Sequence, residues 1–87
     1  MKDIVASLVD SKISYLGIYV NDAFRSKEEG KTVFNIVLDG KEVIDLDKIT
    51  EASRIINKII DDTDEIEKDY DELDIYSLEK GDVENEW

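Results

Sequence analysis

The chain has no cysteine, no histidine and no proline, and only one methionine. Without cysteine and histidine there can be no disulfide, zinc finger, iron–sulfur cluster, cysteine nucleophile or Ser-His-Asp machinery. No stretch approaches the roughly 20 apolar residues that cross a bilayer. The opening MKDIVASLVDSK is not a secretory signal, because its one early lysine is followed at once by an aspartate and its apolar run is short. A small chain that folds without disulfides suits the cytoplasm. Basic residues are also scarce, with 11 Lys and Arg against 23 Asp and Glu, a formal net charge of −12 and a pI near 4.2. Such a chain is a poor direct ligand for DNA, RNA or acidic lipid, so its electrostatic partner should be basic.

The apolar content, 41% of 87 residues, supports one small folded domain. The acidity is unevenly placed. Residues 1–60 carry 10 acidic and 9 basic side chains, whereas residues 61–87 carry 13 and 2. A nearly neutral body is therefore joined to a strongly anionic last third, whose self-repulsion opposes compaction.

Apolar periodicity predicts an α+β fold. Ile4, Val5, Leu8 and Val9 have helical spacing, which makes 3–10 a short helix. Residues 14–20 alternate as a strand. Residues 21–31 read as a polar connection, with a helical turn opened by Asp22 and ended by Gly30. Residues 32–38 form a central strand with two apolar faces, Asp39-Gly40 a two-residue hairpin turn, and 41–46 the returning strand. The result is a three-stranded antiparallel sheet in the order 1-2-3. Asp47 caps a helix over 48–60 with the stripe Ile49, Ala52, Ile55, Ile56, Ile59 and Ile60. The stripe continues through Ile66, Tyr70 and Leu73, which predicts a last, strongly acidic helix over 64–79; one continuous helix is the alternative. Residues 1–80 make one domain and 81–87 a frayed acidic tail.

Several chemistries fail on the residues. A calcium loop laid on 61–72 has Ile66 where the sharp turn requires glycine. Acidic pairs abound, but with no His, no Cys and no glycine-rich phosphate loop the reading is not an enzyme, with no cofactor and no metal. Tyr15, Tyr19 and Phe34 lack the basic groove that base stacking needs, so they read as packing residues. The informative feature is the acidic helical face. Asp61, Asp64, Glu65, Glu67, Asp69, Asp71, Glu72 and Asp74, with Tyr70 and Tyr76 among them, form the candidate partner-binding set. Residues four apart on a helix lie about 6 Å apart, near the ~7 Å between phosphates on one strand. Carboxylates on that pitch can occupy lysines and arginines that otherwise hold a nucleic-acid backbone.

In element order, length and charge placement, the segments KEVIDLDKITEASRIINKIIDD and DEIEKDYDELDIY resemble the small acidic phage inhibitors of the type II-A anti-CRISPR kind. That resemblance implies a DNA-mimicking inhibitor in the host cytoplasm that blocks a basic, nucleic-acid-binding protein and does not itself bind nucleic acid or membrane. Two alternatives stand beside it. One is a self-associating structural or adaptor protein that dimerises through the C-terminal stripe; the other is an acidic immunity protein that neutralises a basic toxin.

Overall fold

The computed structural model describes residues 1–78, and these form an α+β fold. Helix α1 (Lys2–Ile13) passes through a 3₁₀ turn (Ser14–Leu16) into strand β1 (Ile18–Glu28). Strand β2 (Lys31–Gly40), helix α2 (Leu46–Asp62) and strand β3 (Glu72–Ser77) follow. The sheet order is β1-β2-β3, with β1 antiparallel and β3 parallel to the central β2. A parallel pair needs a crossover, and α2 supplies it.

Both helices lie on one face of the sheet. Val5, Val9 and Ile13 of α1 and Ala52, Ile56 and Ile60 of α2 meet Ile18, Val20, Ala23, Phe34, Ile36 and Leu38 of the strands in one core. Ile66, from the loop after α2, is also buried there. The α+β class and the central position of residues 32–38 agree with the sequence, as does the N-terminal helix.

The finer architecture differs in several places. Residues 21–28 continue β1, because pairing with β2 satisfies their backbone and places polar side chains on solvent. The hairpin turn is Glu29-Gly30, whose φ angles of 53° and 83° are both positive, as in the mirror-image turns that match strand twist. Asp39 and Gly40 instead end β2, opposite Tyr19 and Ile18. Residues 41–45 are therefore a loop, not a returning strand, and Val43 is 80% exposed.

Further corrections concern the C-terminal half. The cap of α2 is Asp45, whose Oδ1 accepts from the Lys48 amide at 2.9 Å. The predicted helix over 64–79 is absent: a loop follows Thr63, and 72–77 is a strand. Here Leu73 and Ile75 turn toward the core while Glu72, Asp74 and Tyr76 are exposed, a two-residue alternation that a helix would destroy. The sheet is accordingly mixed, and the helical stripe expected to continue through Ile66, Tyr70 and Leu73 ends with α2. The frayed tail expected at 81–87 lies outside the described residues.

Candidate functional site

With both helices on one side, no described element covers the other face of the sheet. The register sets Tyr19, Asp22, Phe24, Ser26 and Glu28 of β1 beside Asp39, Val37, Asn35, Val33 and Lys31 of β2. It sets Glu72, Asp74 and Tyr76 of β3 beside Val33, Asn35 and Val37. The face is built on one irregularity. A bulge between Val20 and Asp22 changes the alternation, so Phe24 points away from the helices. Asp10 of α1 steadies that point by accepting from the Val20 amide at 2.9 Å.

Asn35 sits at the centre of this face and is the buried polar residue among those described. Its Nδ2 lies 2.9 Å from Ser26 Oγ, 3.2 Å from the Val33 carbonyl and 3.4 Å from the Phe24 carbonyl. Its Oδ1 accepts from Tyr76 Oη at 3.2 Å. All three strands are thereby tied beneath a set of half-exposed aromatic rings, Tyr19, Phe24 and Tyr76 at 44%, 40% and 37%. Partial burial raises the Tyr76 pKa above the usual phenol value, and Asp74, Glu28 and Asp22 raise it further. Asp39 accepts from Tyr19 Oη at 3.4 Å. The ring cluster is therefore rimmed by carboxylates, with Lys31, paired to Glu72 at 3.4 Å, as the one cation among the described residues.

The ten residues expected to form one acidic helical face are divided. Glu72, Asp74 and Tyr76 lie on the open sheet face. Asp61 lies in the last turn of α2, and Asp64 and Glu65 are exposed in the following loop. The remaining four fasten that loop to the sheet. Arg25 binds Asp69 through Nε at 2.8 Å and the Glu67 carbonyl through Nη2 at 3.2 Å, while its guanidinium lies 5.3 Å over the Phe34 ring. Tyr70 packs on Phe34 at 5.3 Å; its pKa is raised by burial first and by Asp61 next. Asp71 brackets Thr32, donating its amide to the Thr32 carbonyl at 2.8 Å and accepting from the Thr32 amide at 2.9 Å. A helical pitch matched to phosphates does not exist in this segment.

Sequence reasoning missed Phe24, Asp22 and Glu28 as site residues because it read 21–31 as a connection, and Asn35 because it read 32–38 as a strand with two apolar faces. The signal was present in the Glu29-Gly30 pair, which stands between two runs able to pair as strands. A second concavity of about 290 Å³ lies between the 3₁₀ turn and the start of α2, lined by Tyr15, Leu16, Lys41, Val43, Ile44 and Lys48 among others. Its charges are of both signs, with Glu42 beside the two lysines. Among the described residues no group of three or more acidic, His or Cys side chains is arranged to hold a metal, and no helix is long and apolar enough to cross a membrane.

Residues 8–77 match the family model of the RimP N-terminal domain. No curated protein matches the chain. RimP proteins are bacterial ribosome-maturation factors, so the resemblance to phage anti-CRISPR inhibitors is overturned. The DNA-mimic inhibitor reading falls with it. So does the expected partnership with a single basic protein and no nucleic acid, since the family's partner is the 30S subunit with its rRNA and ribosomal proteins. The adaptor alternative fits the family better, although its dimerising stripe does not survive: Ile56 and Ile66 are buried within this chain. RimP-family proteins are non-catalytic assembly factors, in keeping with a chain that is not an enzyme.

Proposed function

Since the chain belongs to the RimP N-terminal domain family, we propose that it is a non-catalytic assembly domain that acts in the cytoplasm by binding the small ribosomal subunit during its maturation. The observation that carries this reading is the family match, which runs from within α1 to the end of β3 and so takes in the whole described sheet. The fold suits the task. Two helices and a mixed sheet bury one core and leave the opposite sheet face free of any described element, which gives a rigid platform at little ordering cost on binding. Of the ten candidate residues, Glu72, Asp74 and Tyr76 are the ones we assign to partner contact, together with Phe24 and Asp22; Asp69, Tyr70 and Asp71 hold the fold.

The test is sedimentation of the purified chain through a sucrose gradient with 30S subunits, 50S subunits, or neither. The chain should travel with the 30S particle and not with the 50S. Failure to associate with both mature and precursor 30S particles overturns the assignment.

A further inference from the structure

The open sheet face combines three half-exposed aromatic rings with carboxylates from all three strands, Asp22 and Glu28 on β1, Asp39 on β2, and Glu72 and Asp74 on β3. Among the described residues Lys31 is the single cation opposed to them, and it is paired with Glu72. Rings framed by carboxylates attract a planar cation in two ways, through the ring faces and through charge-assisted hydrogen bonds. The molecule makes this arrangement once internally. On the helix side of the sheet, the Arg25 guanidinium lies over Phe34 and pairs with Asp69. The open face offers the same elements, rings and carboxylates, without the arginine.

Deepening the ribosome-assembly reading on which it rests, we propose that this face docks an arginine-bearing polypeptide segment of a protein partner, with guanidinium groups stacked on Phe24 and Tyr76 and paired with Asp22, Glu28 and Asp74. The sign of the face selects against the other occupants. An RNA backbone meets five carboxylates and is repelled, so any RNA contact belongs elsewhere on the chain. A second copy would oppose like charges. Residues 79–87 carry four carboxylates against one lysine and meet the same repulsion. Arginine is favoured over lysine because its flat, weakly hydrated fork can stack and pair at once. Asn35 sets the geometry, holding Tyr76 through its hydroxyl and β1 through Ser26.

The experiment titrates the full chain with a fluorescent Arg-Gly repeat peptide of about twelve residues, enough to cross the sheet at ~3.3 Å per residue. A Lys-Gly peptide and an oligouridylate of similar length serve as comparisons, all at physiological ionic strength. Amide shift perturbations in the unaltered chain should gather on 22–28, 33–37 and 74–76, with the arginine peptide bound more tightly than the lysine peptide. The pair Glu28→Lys and Asp74→Lys should weaken binding about tenfold, the loss expected when charge-assisted bonds are removed. The pair Asp64→Lys and Glu65→Lys, with the same change in net charge away from the face, should weaken it by no more than about threefold, as long-range screening allows. Perturbations confined to the helices, equal losses in both pairs, or tighter binding of the oligouridylate would each overturn the inference. The 30S sedimentation separates this inference from the reading beneath it. Association that survives the Glu28→Lys and Asp74→Lys pair undiminished sinks the face and spares the reading. An unaltered chain that binds the peptide on this face but never the 30S particle sinks the reading alone.

Discussion

Gly40 shows how one residue can be required for a reason that sequence does not display. It follows Asp39, and the pair reads as a turn, yet Gly40 is in the last position of β2 with the Gly17 backbone against it. A Cβ added there would sit 2.6 Å from the Gly17 carbonyl oxygen, which is main chain and cannot swing aside. Gly40→Ala should therefore cost about 1–3 kcal/mol, the range for forced overpacking, measured by urea denaturation. Gly30 has open space around it, but its φ is 83°, so Gly30→Ala should cost only the ~1 kcal/mol of a left-handed residue. The reverse order of losses would contradict the close approach. Tyr70 and Tyr76 give a second residue-scale test. Both phenols are raised above their ordinary value, by burial first. In the unfolded chain they ionise near pH 10, before the folded protein releases the same protons. Their stabilising contribution is thus complete below about pH 10 and is lost as pH rises through the folded values. Thermal melting should fall steeply above pH 10, and a Tyr70→Phe, Tyr76→Phe double variant should fall less steeply.

At the scale of elements, what was legible tracks where two local signals agree. Residues 3–10, 32–38 and 48–60 carry strong periodicity, and all three are found, with ends moved by a few residues. The misread elements are those where local preference and tertiary pairing compete. Residues 72–77 fit a 3-4 spacing through Leu73 and also a two-residue alternation through Leu73 and Ile75. The free edge of β2 decides between them, because its backbone groups need a partner. No local pattern announces that edge. The hairpin was misplaced because Asp-Gly outranks Glu-Gly as a turn signal, although Glu29-Gly30 is where both φ angles are positive. The candidate site suffered most from this: once 21–31 is read as a connection, Phe24 has no face to belong to. The same mismatch makes a prediction. Glutamate is strained at φ 53°, and asparagine tolerates that region better. Glu29→Asn should raise stability by about 0.5–1 kcal/mol, seen as a higher urea midpoint with an unchanged slope. No gain would mean that Glu29 earns its place through a contact of its side chain.

For the whole molecule, the decisive quantity is how its charges balance. Among the described residues four ion pairs form, and their side chains are exposed apart from Arg25, which is partly buried. Exposed pairs contribute about 0–1 kcal/mol each. Opposing them is the mutual repulsion of 23 carboxylates on a chain of net charge −12. Salt weakens both, but not equally. The pairs are local and partly offset by their own desolvation, whereas the repulsion sums over many separations near the Debye length of about 10 Å at 0.1 M. Repulsion should dominate, so added sodium chloride should stabilise the fold. Raising it from about 0.01 M to 0.3 M, which shortens the Debye length from ~30 Å to well under 10 Å, should lift the melting temperature by several degrees. Among the described residues Arg25 is the one cation that joins a carboxylate, a backbone carbonyl and a ring, so Arg25→Gln should lower the melting temperature at every salt concentration while leaving the upward slope intact. A melting temperature that falls with salt would mean that the few ion pairs outweigh the global field, and that the charge is part of what holds this fold together.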